Sequence, residues 1–227
     1  MKKSLLLLSV LFLSVASFGQ DIEGELQRIN RVFESYGCKV DNGTVSVQTI
    51  VEVNGMTAAQ LYSSVKNFVV LAYNSPNTVI QEDDPVNGHL VVKGLSASST
   101  CGCSDIVFIG SGMEYRTTHI LKFDIKEGRV RITVTAVTVQ QKAGADLSTL
   151  RYTDYSVTRL YPISKDIDVF TNNHNMNWYP KEGSKKQLQG FIHEGNVLLV
   201  ILGDMTNLMK AAENHLLNTL QKEEDNW

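Results

Sequence analysis

Two long alternating runs meeting at a glycine constrain this chain more than any other feature. Residues 115–126 place Thr117, His119, Leu121, Phe123 and Ile125 on one side, and residues 129–140 answer with Val130, Ile132, Val134 and Ala136. Glu127-Gly128 lies between them. A period of two over runs this long predicts a β-hairpin with one dry and one wet face. Arg116, Lys122, Lys126, Arg129 and Arg131 fall on the wet face, interleaved with Asp124 and Glu127. A sheet with one dry face must bury it against another layer.

The cover is written as helices. Thr57 stands before a run to about Tyr73 with Leu61, Val65, Phe68 and Ala72 at helical spacing. Near the C-terminus, Ser184 can cap a helical region reaching about Gln221, with Leu198, Ile201, Met205, Leu208, Ala212 and Leu216 as its apolar stripe. Gly195 or Gly203 is the expected point of a break or kink. Further strands are expected at 44–53, 78–82, 89–97 and near 152–160, and Asp41-Asn42-Gly43 marks a turn. Residues 21–36 form an amphipathic helix carrying Ile22, Leu26, Ile29, Phe33 and Tyr36.

The first residues carry an address. Met1-Lys2-Lys3 is basic, Leu5–Val15 is almost wholly apolar, and Ser17-Phe18-Gly19 offers small residues before Gln20. That is the anatomy of a secretory leader, and the apolar run is too short to span a bilayer. Export to the periplasm or beyond is expected, with residues 1–19 removed. No Cys stands at the predicted cut to take a lipid. Removal takes two of the 21 basic residues away from 24 acidic ones, leaving a mildly acidic chain for which nucleic acid is a poor partner. The expected organisation is a leader at 1–19, a helical lead-in at 20–43, and one domain over 44–222 containing an irregular 141–184 segment.

Met56-Thr57-Ala58-Ala59-Gln60-Leu61-Tyr62, Val91-Val92-Lys93-Gly94, and Phe123-Asp124-Ile125-Lys126-Glu127-Gly128-Arg129-Val130-Arg131, taken in that order, resemble an exported bacterial family of unknown function. That family is described as having a TATA-binding-protein-like (TBP-like) fold. The resemblance covers roughly residues 44–141. It implies an α+β fold, a curved antiparallel sheet packed on one face by helices in the order β-α-β4-α. It carries over no catalytic residue, because the family has no established activity, and a fold name says nothing about DNA.

The candidate chemistry is sparse. Cys38, Cys101 and Cys103 are the only thiols. In an oxidising compartment Cys38 has two candidate disulfide partners, Cys101 and Cys103. Unpaired thiols in or under a loop are the other reading, and the odd count leaves at least one thiol over. No second ligand pair at metal spacing accompanies Cys101-Gly102-Cys103. The five histidines match no catalytic motif, and Gly110-Ser111-Gly112 is not a nucleophile elbow. No cofactor, metal or catalytic residue is therefore assigned.

Tyr152, Tyr155, Tyr161, Trp178 and Tyr179, with Asn172, Asn173, Asn175 and Asn177 nearby, compose the best recognition surface, suited to a glycan, a peptide or an envelope protein. Aromatics plugging the sheet edge are the competing reading. The expected function is a non-catalytic binding domain of the cell envelope. A helix-grip carrier of an apolar small molecule is the first alternative, and an envelope hydrolase the second. The carrier requires a cavity lined by His119, Leu121, Val134 and Met205, of roughly 300 Å³ or more.

Overall fold

The computed structural model describes residues 21–96, 99–101, 113–143, 151–165 and 182–224. The elements run α1 (Ile22–Ser35), β1 (Lys39–Asp41), β2 (Thr44–Glu52), α2 (Ala58–Ala72), the single helical turn α3 (Pro76–Val79), β3 (Ile80–Asp84) and β4 (His89–Leu95). There follow β5 (Ser99–Cys101), β6 (Met113–Lys126), β7 (Arg129–Ala143), β8 (Arg151–Ser156), a 3₁₀ turn (Val157–Arg159) and α4 (Lys185–Glu224). All strand pairings are antiparallel, in the order β1-β2-β7-β6-β4-β3, with β5 added to β6 and β8 to β7.

The hairpin is the spine of the sheet. Gly128 has φ of 71°, a backbone state that other residues enter only with strain, so the turn between β6 and β7 falls where expected. Leu121 faces Val134, Phe123 faces Ile132 and Ile125 faces Val130. The register shifts between Thr118 and His119, a bulge that puts Val137 in excess on β7. A strict period of two would turn Val139 outward. The bulge turns it inward, where it is fully buried.

Helices α2 and α4 cover the same face of the sheet. Leu61, Val65, Phe68 and Val69 of α2, and Val197, Leu198, Ile201, Leu202, Met205, Ala212 and Leu216 of α4, share one apolar core with the inward residues of β2, β4, β6 and β7. Helix α2 opens with a capping box: Thr57 Oγ1 accepts from the Gln60 amide, and the Gln60 side chain accepts from the Thr57 amide. That satisfies two of the amide donors a helix start leaves open. Ser184 caps α4 as expected, its hydroxyl accepting from the Gln187 amide at 3.3 Å.

Helix α4 is not broken at Gly195 or Gly203. A Cβ on Gly195 would lie 2.7 Å from Ile29 Cγ2 and 3.2 Å from Tyr161 Cδ1. The residue is glycine because α1 crosses there, with Ile29, Tyr161 and Phe191 forming a second small core. No helix among the described residues is long and apolar enough to cross a membrane.

Candidate functional site

Helix α2 ends at Ala72, leaving the sheet beyond it to be covered by α4. A groove of about 290 Å³ opens there, lined by Ala72, Tyr73, Leu95, Ser96, Thr117, His119, Ile201, Asp204, Met205 and Leu208. Its floor is the inward side of β6, where Thr117 and His119 alternate. Its wall is one face of α4, since residues 201, 204, 205 and 208 recur at helical spacing.

Polar groups on the floor are tied down. The Ser96 and Thr117 backbones bond at 2.9 Å, and the Thr117 amide donates to Ser96 Oγ at 2.8 Å. The Tyr73 hydroxyl and His119 Nε2 are 2.8 Å apart. Burial pushes the His119 imidazole below its ordinary value, against a hydrogen bond to the Thr117 backbone. A neutral ring has one N–H and one acceptor nitrogen, so Tyr73 and His119 Nε2 share a hydrogen bond whose donor is set by the tautomer. Burial likewise raises Tyr73 to about 12. The pair is neutral and mutually satisfied.

Expectation and structure overlap here in part. His119 and Met205 line the groove, whereas Leu121 and Val134 are fully buried in the packed core. Tyr73, Ser96 and Asp204 were not singled out from sequence. Asp204 did leave a signal, as an acid on the apolar face of α4.

The five-residue aromatic surface divides. Tyr155 and Tyr161 are buried, at 8% and 6% exposure, and this corrects their placement on a recognition surface. Tyr155 points inward from β8, where burial first, and then the nearby Glu194, raise its phenol. Tyr161 stacks on Phe191 at 5.2 Å and accepts from Asn30 Nδ2 at 3.0 Å. Tyr152 is half-buried: its hydroxyl donates to Glu114 at 2.6 Å, and the Arg116 guanidinium covers its ring at 4.5 Å. Trp178 and Tyr179 lie outside the described residues.

Tyr155 Oη is buried without a hydrogen-bond partner. A buried polar atom left unsatisfied carries a desolvation cost with nothing to offset it. Tyr155→Phe should therefore leave stability unchanged or raise it by about 1 kcal/mol, as urea unfolding would measure. A loss above that would reveal a hydrogen bond that this geometry lacks.

The thiols are also separated. Cys38 is free and half-buried, and burial pushes its thiol up. It precedes Lys39, which faces Ser46, next to Val47 and hence Val134 across the sheet. Cys101 faces Met113, at the level of Lys142 on β7. The rise from Val134 to Lys142 is on the order of 26 Å at ~3.3 Å per residue, and disulfide Cα atoms lie about 4.4–6.8 Å apart. Cys38 and Cys101 are not partners; Cys103 lies outside the described residues.

On the outer face, His89, Asp124 and Arg131 stand in register across β4, β6 and β7. Asp124 is bonded by His89 at 2.8 Å, Lys122 at 3.1 Å and Arg131 at 3.1 Å. Burial raises its carboxyl, but Lys122, then His89 and Arg131, outweigh burial and hold it below the usual carboxylate range. The basic face is thus partly neutralised from within, and a shallow recess of about 250 Å³ remains beside Ile50, Lys126, Arg129 and Arg131.

Residues 48–140 match the family model described as a domain of unknown function (DUF4468) with TBP-like fold. Over these residues the chain is similar to that family. The matched segment takes in α2 and most of strands β2 to β7, and with them the Tyr73–His119 floor of the groove. The α4 wall, with Asp204 and Met205, comes from outside it. Two solved structures are similar. A TBP-like protein from Parabacteroides distasonis ATCC 8503 is 11% identical, covering 78% of this chain and 97% of its own, with a TM-score of 0.44. A DUF4468 family protein from Bacteroides ovatus ATCC 8483 is 13% identical, covering 78% and 90%, with a TM-score of 0.47. No curated protein matches the chain.

Proposed function

We propose that this chain is an exported, non-catalytic binding domain whose ligand, a small molecule with an apolar body, sits in the groove between β6 and α4. The observation that carries this reading is the groove itself. Its volume of about 290 Å³ is at the lower edge of small-molecule sites, which start near ~300 Å³. At ~30 Å³ per water-sized group it takes about ten non-hydrogen atoms. Leu95, Ile201, Met205 and Leu208 supply an apolar lining.

The locked Tyr73–His119 pair favours binding over catalysis. A general base needs a nitrogen ready to take a proton near neutral pH, whereas burial disfavours the charged His119 ring and its Nε2 is already bonded to Tyr73. Export rests on the leader, whose basic start and short apolar run precede the described residues.

Native mass spectrometry of protein purified from its own host tests both parts. A chain beginning at Gln20 and carrying a bound small molecule is the expected species. Leu208→Trp, which fills the groove from its partly exposed rim, should remove that adduct. A bare chain from the host, or an adduct indifferent to Leu208→Trp, would overturn the groove as the binding site.

A further inference from the structure

The charge of the groove specifies more than its size. Among the described residues Asp204 is the one charged side chain lining it, and no Lys or Arg joins it there. His119 adds no cation, since burial favours the neutral ring beside Tyr73. Whichever of the pair donates, the Tyr73 oxygen keeps a lone pair that can accept. A carboxylate such as Asp204 offers about four acceptor sites, so the partner it already has leaves room for another donor. The polar side of the groove therefore accepts hydrogen bonds and carries negative charge.

We infer that the groove selects an alkyl ammonium, with the charged end on Asp204 and Tyr73 and the chain along Leu95, Ile201, Met205 and Leu208. This rests on the proposal that the groove is a ligand site. The complementary statement is as specific. A fatty-acid-like carboxylate of the same length would bring a second negative charge into a recess of reduced dielectric, with no cation among the described lining residues to meet it. An alcohol, able to donate one hydrogen bond without charge, should fall between the two. Charge-assisted hydrogen bonds are roughly twice as strong as neutral ones, which sets the order of the three.

Three probes of one chain length separate head group from chain: octylamine, octanol and octanoate, titrated calorimetrically at neutral pH into the full mature chain. Octylamine should bind about tenfold or more tighter than octanoate, with octanol between them. Asp204→Asn should abolish the advantage of octylamine over octanol while leaving octanol affinity within about twofold. The comparison of probes on the unmodified protein needs no variant, so it decides even if Asp204→Asn folds poorly. Octanoate binding as tightly as octylamine, with octanol binding still lost in Leu208→Trp, would overturn the head-group assignment and leave the groove as the site. Failure of all three probes to bind would remove the groove reading and this inference together.

Discussion

Phe123→Ala should destabilise the protein by about 3–5 kcal/mol, the usual range for deleting a buried aromatic. Phe123 is fully buried on the central strand β6, facing Leu90 on β4 and Ile132 on β7. Its ring meets Phe68 of α2 edge-on at 6.3 Å and 74°. Phe68 in turn lies 5.7 Å from the His215 ring of α4. One side chain thus ties the central strand to both covering helices. Removing it forfeits the transfer of the ring from water and opens a void that Leu90 and Ile132, held by their strands, cannot fill. The edge-to-face contact adds about 0.5–1.5 kcal/mol to what area alone would give. Against a total stability of about 5–15 kcal/mol, this is a large fraction. Urea unfolding should show a lower midpoint with an unchanged slope. A loss below about 1 kcal/mol would mean that the sheet and helices do not close around Phe123 as described.

Much of that interface was legible because its signals are local and repeated. The 115–140 hairpin announced itself through alternation and Gly128, α2 through its capping residues, and α4 through an apolar stripe. What escaped notice depends on contacts between distant segments. Strands β1 and β5 are three residues long, too short for any period to appear. The bulge opposite His119 reverses the facing of Val139, and nothing at Val137 advertises an extra residue.

Gly195 looks like a helix breaker in isolation, yet it marks where α1 crosses α4. The aromatics of 152–161 have the composition of a recognition surface, but composition does not record direction. Tyr155 and Tyr161 turn inward because β8 pairs with β7 and because α1 brings Asn30 to Tyr161. The groove was half-legible for the same reason. His119 sits on an apolar face and could be named, whereas Tyr73 read only as a helix end. Asp204 was an acid within an apolar stripe, whose meaning depends on the gap left where α2 stops.

Gly94→Ala should close that gap from below. Gly94 faces His119 across β4 and β6. A Cβ there would lie 2.6 Å from Tyr73 Cε1 and 2.7 Å from His119 Nε2, closer than such atoms approach without displacement. His119 stands on the central strand β6, so the Tyr73 ring, at the end of α2, is the part that must move. Its hydrogen bond to Nε2 then breaks, and the ring is driven into the groove. Overpacking of this kind costs about 1–3 kcal/mol, and the orphaned imidazole nitrogen adds to it. Octanol affinity should fall about tenfold or more. The His119 ring, no longer sealed by the tyrosine, should titrate closer to its ordinary value of 6.5, as NMR of the imidazole would follow. Gly195→Ala is the matched comparison. Its Cβ meets Ile29 at 2.7 Å, away from the groove, so it should lose stability while octanol binding and the His119 titration stay as they were. If Gly94→Ala left stability, octanol affinity and His119 all unchanged, Tyr73 would not be seated over Gly94, and the floor of the groove would need to be drawn differently.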